Sequence, residues 1–419
     1  MDPGDVTRPA KYKLFSQGWF WLLVVHAVFS QMATLLMRVN TSYRAIEINL
    51  DPAWLAMFSV AFSVFPMLLG IVAGRATDRY GEQPTLIVGS ASVLLAAIAF
   101  LFLGNTVPGL LLCNAVLGFG HILGMLGEQS LASKWGPSDQ RDRIFGYYTM
   151  FVSLGQVLSP LLIGLVGGDA IIPNTGAIFI GATVIGVASL VVSLPIKSSP
   201  RSEPGPTSAK PGSLVQLFKI RGMVPAMFAS IIILSAMDLL IVYLPALGAE
   251  RHIEAATISM LLSLRAASSM LSRLCFYGLI TRFGRARLMV WSIAIAAVSM
   301  ALLPVPMPLW LMGVIITVAG FALGLCLPLI LAWMAEITPF SVRGTIVSLR
   351  LAGNRLGQVF IPTVAGLVAS WVGLAGVFWS SGAALALVAF TTAQAFSRQP
   401  QIKVVKSEDP EEPGWRDEE

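Results

Sequence analysis

Charge is scarce in this 419-residue chain: 12% of residues are Asp, Glu, Lys or Arg, against 56% that are hydrophobic. Soluble domains carry about twice that charged fraction. The net charge of +6 is dispersed in short basic stretches between apolar runs, a pattern that favours a membrane over nucleic acid. Cysteine is scarcer still. Cys113, Cys275 and Cys326 all fall inside apolar runs, so no disulfide framework is implied. No G-x-x-x-x-G-K-[ST] phosphate cradle occurs, which leaves ATP-driven transport unsupported. Metal-ligand spacing and nucleophile arrangements are also missing, so no catalytic residue, metal or cofactor is expected and the chain does not read as an enzyme. The opening MDPGDVTRPAKYK is polar, and the first apolar run is long enough to span and stay rather than act as a cleaved leader.

Long apolar runs fill the rest. A run of roughly 20 such residues spans a bilayer, and only helices satisfy their backbone there without a closed barrel. Twelve spans are read, near 17–38, 53–75, 85–103, 109–133, 144–167, 175–195, 223–247, 256–280, 287–306, 309–335, 345–369 and 374–396. With the N-terminus inside, nearly all Lys and Arg outside the spans fall on the cytoplasmic side, leaving Arg38, Arg44 and Arg251 opposite. Both termini are then cytoplasmic. The expected organisation is a tail (1–16), a six-helix bundle (17–196), a Pro/Ser/Gly-rich linker (197–221), a second bundle (222–396) and an acidic, disordered tail (397–419). Short loops point to a bacterial inner membrane, and two bundles in one chain to a monomer.

The bundles are copies. Residues 154–166, LGQVLSPLLIGLV, return at an offset of 202 as LGQVFIPTVAGLV, with eight identities in thirteen positions. Gly155, Gln156, Pro160 and Gly164 thus recur as Gly357, Gln358, Pro362 and Gly366. Gly118-Phe119 returns as Gly320-Phe321, Pro137 and Arg141 as Pro339 and Arg343, and Arg79-x-Gly81 as Arg282-x-Gly284. A duplicated half implies a site between the halves.

The loop after the second span reads Gly74-Arg75-Ala76-Thr77-Asp78-Arg79-Tyr80-Gly81. A charged, glycine-punctuated turn can lock helix ends together on the cytoplasmic face, with Asp78 favouring a helix N-terminus and Arg79 a carboxylate. It resembles the G-x-x-x-D-R-x-G signature of the major facilitator superfamily, although Glu82-Gln83 stands where that signature continues with a basic pair. Gly146, Gly155, Ser159-Pro160 and Gly164 resemble the fifth-span pattern that marks proton-driven exporters in that superfamily, with Ser159 and Ile163 replacing two glycines. Small residues allow close helix contact and Pro a kink, as a moving interface needs. The exporters' fourth-span arginine is matched by Asn114. The resemblance implies two six-helix halves alternating around a midplane site.

Ionisable residues within spans are costly and are functional candidates. From a rise of about 1.5 Å per residue, Arg265 and Arg355 reach nearly the same depth, close to the midplane. They are read as a clamp for a carboxylate or other anion, which Arg holds by paired hydrogen bonds. The bland alternative pairs them with acids. Arg273 and Arg350 are shallower and can snorkel. Gln358 and Asn354 share helix faces with Arg355 and Arg350. Asp238, the one acid well inside a span, is read as a proton carrier or as a static partner of Arg265. Glu128 is read as pairing with Arg75 or Arg79 in a cytoplasmic gate that includes Gly74, Asp78, Arg79, Gly81, Arg282 and Gly284. His26, Gln31, Asn114 and Gln156 are candidate substrate contacts, and His121 a candidate proton relay. Trp19, Phe20, Trp21 and Trp54 read as interface anchors. The expected function is proton-coupled transport of a small organic anion. Alternatives are a proton-antiporting exporter of amphipathic drugs or metabolites, and a non-transporting receptor on the same fold.

Overall fold

A chain this apolar must satisfy its backbone internally, and it does so with helices. The computed structural model describes residues 14–135, 140–168, 170–199, 218, 220–338 and 343–397. Most of the linker and of both tails, and the loops holding Pro137 and Pro339, lie outside these residues. The first half holds α1 (Gly18–Glu47), α2 (Ala53–Tyr80), α3 (Glu82–Leu103), α4 (Val107–Lys134), α5 (Arg141–Gly167) and α6 (Thr175–Ser193). The second holds α7 (Met223–Glu250), α8 (Ala255–Leu274), α9 (Phe276–Phe283), α10 (Arg285–Leu302), α11 (Leu309–Ile337), α12 (Arg343–Val372) and α13 (Leu374–Ser397). No strand occurs among the described residues.

Local signals set several ends. Thr106 caps α4 by accepting the Gly109 N–H at 3.2 Å, and Asn174 caps α6 by accepting the Ala177 N–H at 3.0 Å. Gly81 and Gly284, at φ 97° and 77°, make the equivalent tight turns into α3 and α10, a left-handed conformation that favours glycine.

Among the described residues, eleven helices are long and apolar enough to cross a membrane. The expected eighth span is instead two helices broken at the exposed Cys275. The eight-residue α9 is too short to cross, and α8 carries Arg265, Arg273 and five serines, which lower its hydropathy. The first helix also departs from expectation. It runs nine residues past Arg38 to Glu47, because buried Asn40, Thr41 and Ser42 continue the helix behind a polar sequence. Phe20 is fully buried among core side chains, so it is no interface anchor, whereas Trp21 and Trp54 stay exposed.

The duplication is visible in the packing. In the first half α1 packs on α5 and α6, α3 on α4 and α6, and α2 on α4. In the second, α7 packs on α12 and α13, α10 on α11 and α13, and α8 on α11. Between the halves, α2 packs on α12 and α5 on α8, while α1 meets α7. Gly118 lets α4 touch the backbone of α2 at Phe62, and Gly320 lets α11 touch the backbone of α8 at Arg265. With no water to expel between helices in lipid, such close approach is the main source of association.

The bundle has a terminal end, where α1 begins, and a far end, where α1 meets α2. At the far end the halves are closed. A methyl on Gly366 would lie 2.7 Å from Ala56 Cβ, and one on Gly164 would lie 3.4 Å from Ala256 Cα. The Ala255 N–H donates to the Ala170 carbonyl at 3.0 Å. Toward the terminal end α5 and α8 part around a cleft of about 370 Å³.

Candidate functional site

Mid-bundle, one hydrogen-bond network joins the halves. Arg355 Nη1 donates to Gln358 Oε1 at 2.9 Å, and Gln358 Nε2 donates to Asp238 Oδ2 at 2.7 Å. Asp238 Oδ1 accepts from Arg38 Nη1 at 3.0 Å, so α12 and α7 of the second half are tied to α1 of the first. Both partners of this ion pair are largely buried, with side-chain exposures of 10% and 13%. The Arg38 guanidinium also lies 4.5 Å from the Phe62 ring centre, a cation–π contact. Phe62 packs beside the His121 ring at 5.5 Å, and Arg355 Nη2 reaches Met125 Sδ at 3.9 Å.

Of the two readings of Asp238, proton carrier or static partner of Arg265, the second is corrected, because the ion pair is with Arg38. Arg265 and Arg355, expected as an anion clamp, sit on α8 and α12. Each lies within the electrostatic reach of Asp238, and Arg265 is 3% exposed with no partner for its Nε among the described residues. Arg38 escaped the sequence reading because it was placed at the end of the first span. The apolar residues Phe62 and Met125 gave no signal at all.

A second buried network lies nearer the terminal end, inside the first half alone. His26 Nδ1 bonds Glu128 Oε1 at 2.8 Å, and Tyr148 OH donates to Glu128 Oε2 at 3.0 Å. His26 Nε2 bonds Ser90 Oγ at 2.8 Å, and Ser90 meets Ser189 Oγ at 3.3 Å. Five helices of one half meet there, with His26 and Glu128 fully buried. Glu128 therefore pairs with His26 and Tyr148 rather than with Arg75 or Arg79, since its position faces the bundle interior. His26, expected at the substrate, belongs to this cluster instead.

The remaining candidates are scattered. Asp78 pairs with Lys134 at 3.0 Å, and Lys134 also reaches Glu82 at 3.2 Å. Arg79 lies over the Tyr80 ring and Arg282 over the Phe283 ring. Gly74 has open space beside it. Asn114 Nδ2 donates to the Leu110 carbonyl of its own helix, its side chain lining a small cavity with Arg38. Asn354 and Gln31 are buried, Gln156 is half-buried, and the His121 Nδ1 has no partner among the described residues. Gly155 meets the Val28 carbonyl, Gly357 meets Ile231, and Pro160 and Pro362 sit inside α5 and α12. Among the described residues no three His, Cys, Asp or Glu converge as a metal site requires.

The family model described as Major Facilitator Superfamily matches residues 20–246 and again residues 226–417, once per half. The chain belongs to the major facilitator superfamily. As a member it is a multi-pass membrane protein. Solved superfamily structures share the fold. The nucleoside transporter NupG aligns over 90% of this chain and 100% of its own with a TM-score of 0.74 at 14% identity. The inward-open xylose transporter XylE from E. coli aligns over 91% and 95% with a TM-score of 0.69 at 16% identity. Among curated proteins, the efflux pump azaK of Aspergillus niger is 26% identical over 40% of this chain and 37% of its own. The quinolone resistance protein NorA of Staphylococcus aureus is 22% identical over 37% and 39%. The match spans about two fifths of the length of these relatives.

Proposed function

We propose that this superfamily member is a proton-coupled secondary transporter of a small organic anion. The observation that carries the reading is that one carboxylate, Asp238, is bonded to Arg38 directly and to Arg355 through Gln358. A substrate carboxylate would supply the missing negative charge and take paired hydrogen bonds from a guanidinium. Asp238 is the proton acceptor in this scheme. When it is ionised, Arg38 and Gln358 hold it and α1 stays tied to α7 and α12. A proton on Asp238 removes the ion pair, releases Arg38 toward the substrate and loosens the bridge between the halves. Residues 17–196 and 222–396 would then rock as two bodies, with the far-end glycine contacts as one gate and the terminal end, cytoplasmic by its Lys and Arg, as the other. The setting is a bacterial inner membrane, with the chain acting as a monomer.

A second reading is a proton-antiporting exporter of amphipathic compounds. It is favoured by the efflux relatives azaK and NorA and by the apolar Phe62 and Met125 beside the polar network.

Thermal unfolding of wild type and Arg355→Ala against organic anions and lipophilic cations separates the two, because a ligand of the native state raises apparent stability by mass action. The anion reading expects carboxylates to stabilise the wild type in a concentration-dependent way and the variant weakly. It is abandoned if cations stabilise both proteins equally and carboxylates neither.

A further inference from the structure

Arg273 is an arginine that the central network leaves unused. It lies in the last turn of α8, but α9 still carries the chain on to the turn at Gly284, so Arg273 is set back from the terminal end. Its Nη1 crosses the boundary between the halves and donates to Ser153 Oγ of α5 at 2.7 Å.

Ser153 is the duplicate of Arg355. The two are equivalent at the 202 offset, as are Arg141 and Arg343, which open α5 and α12, so positions 153 and 355 lie at one depth in the two halves. Position 153 carries a hydroxyl rather than a cation, and Arg273 brings a guanidinium to it from α8. Each of the two duplicated positions thereby holds one guanidinium. Arg355 crosses the boundary too, reaching Met125 Sδ of α4 at 3.9 Å.

Neither cation is neutralised locally. Among the described residues Arg273 is bonded to a serine and Arg355 to the Gln358 amide, and neither has a carboxylate within ion-pair distance. A guanidinium carries five N–H donors, so each keeps donors for a ligand. Arg273 lines the cleft of about 370 Å³ between α5 and α8, beside Ser153, Met150 and Met270. Arg265, about two turns away on α8, lies within electrostatic reach of both Arg273 and Asp238, so the cleft and the central network share one field. A cation set into a bundle without a counter-charge is costly, and a single carboxylate can relieve only one of two that stand on different helices.

We propose that the substrate of the central site is a dicarboxylate, with one carboxylate on Arg355 and the other on Arg273. The inference rests on the anion reading above and narrows it: Arg355 recognises an anion, and Arg273 sets the requirement for a second charge. Met125 beside Arg355, and Met150 and Met270 beside Arg273, suit an apolar spacer between the two carboxylates, since methionine adapts its shape to what it packs on.

The test is thermal unfolding of the purified full chain titrated with straight-chain dicarboxylates, from succinate to suberate, and with the monocarboxylate of each carbon count. Apparent affinities follow from the concentration dependence of the shift. In wild type at least one dicarboxylate is expected to bind about tenfold more tightly than its monocarboxylate, a difference of roughly 1.4 kcal/mol. Arg273→Gln should bind monocarboxylates as wild type does and lose the preference, while Arg273→Lys should keep most of it. Arg355→Ala should weaken both classes. A wild type that binds both classes equally, or a preference that survives in Arg273→Gln, overturns the dicarboxylate assignment and leaves the anion reading standing. Binding of neither class by wild type overturns both. Loss of monocarboxylate binding in both Arg273 variants makes Arg273 a packing residue and overturns its role as the second anchor.

Discussion

The two halves repeat one helix plan and bury opposite chemistry. In the first, the carboxylate of Glu128 is satisfied by His26 and Tyr148 without leaving its own six helices. In the second, five arginines lie in α8 and α12, and two of them, Arg265 and Arg350, keep a buried Nε with no partner among the described residues. The one acid among them, Asp238, finds its ion-pair partner in the other half. Duplication preserved what the backbone needs, as the close contacts of Gly118 and Gly320 and the turns at Gly81 and Gly284 attest. Polar side chains were free to diverge. At the 202 offset Ser153 stands where the second half has Arg355, and the residue met by each close-approach glycine is Phe62 in one half and Arg265 in the other. The difference separates a closed network that frames a helix bundle from an open one that needs something else to complete it.

The largest effect should come from breaking the closed network. Glu128→Ala leaves His26 Nδ1 and the Tyr148 hydroxyl facing each other without their shared acceptor in a fully buried site. Breaking a buried pair by removing one partner costs about 3–5 kcal/mol. Thermal unfolding in detergent should therefore show a large fall for Glu128→Ala and a small one for Arg355→Ala, whose loss leaves Gln358 still bonded to Asp238. Equal falls would remove the distinction between frame and site.

Next in size is the bridge. Asp238→Asn keeps the shape and a hydrogen-bond acceptor but removes the charge that holds Arg38. In liposomes with an imposed pH gradient, proton-driven accumulation is expected to drop at least about tenfold, a loss of roughly 1.4 kcal/mol of coupling, while exchange of substrate without a gradient continues. His26→Gln should leave the gradient response intact. The reverse pattern, coupling lost in His26→Gln and kept in Asp238→Asn, would move the proton site into the first half.

The sequence shows the frame better than the site for a physical reason. Long apolar runs and a repeat at fixed offset are one-dimensional signals, so the helices and the two halves are legible. Depth along a helix is legible too, and Asp238 and Gln358, read as lying within spans, meet in one mid-bundle network. What a residue faces around the helix axis is not. Glu128, judged from its place near a helix end, turned inward to His26 rather than outward to Arg75 or Arg79. Arg38 was lost because the polar run Asn40–Thr41–Ser42 looks like the end of a span, although those side chains are buried. A hydropathy pattern cannot distinguish a polar residue that ends a helix from one that is packed inside it.

The smallest expected effect tests whether the duplicated glycines close the far end equally. Gly366 and Gly164 are equivalent at the 202 offset, yet their surroundings differ. A methyl on Gly366 would meet Ala56 Cβ at 2.7 Å and the Ala53 carbonyl at 3.2 Å, whereas one on Gly164 has nothing nearer than Ala256 Cα at 3.4 Å. Overpacking costs about 1 kcal/mol at its mild end. Gly366→Ala should thus push α12 away from α2 and favour the arrangement open at the far end, while Gly164→Ala changes little. Alkylation of Ala53→Cys in a chain lacking the exposed Cys275 reads this directly: Gly366→Ala should label several times faster than its parent, and Gly164→Ala at nearly the parental rate. Equal rates would mean that the α2–α12 and α5–α8 contacts open together as one rigid gate, and the asymmetry of the halves would then end at the central network.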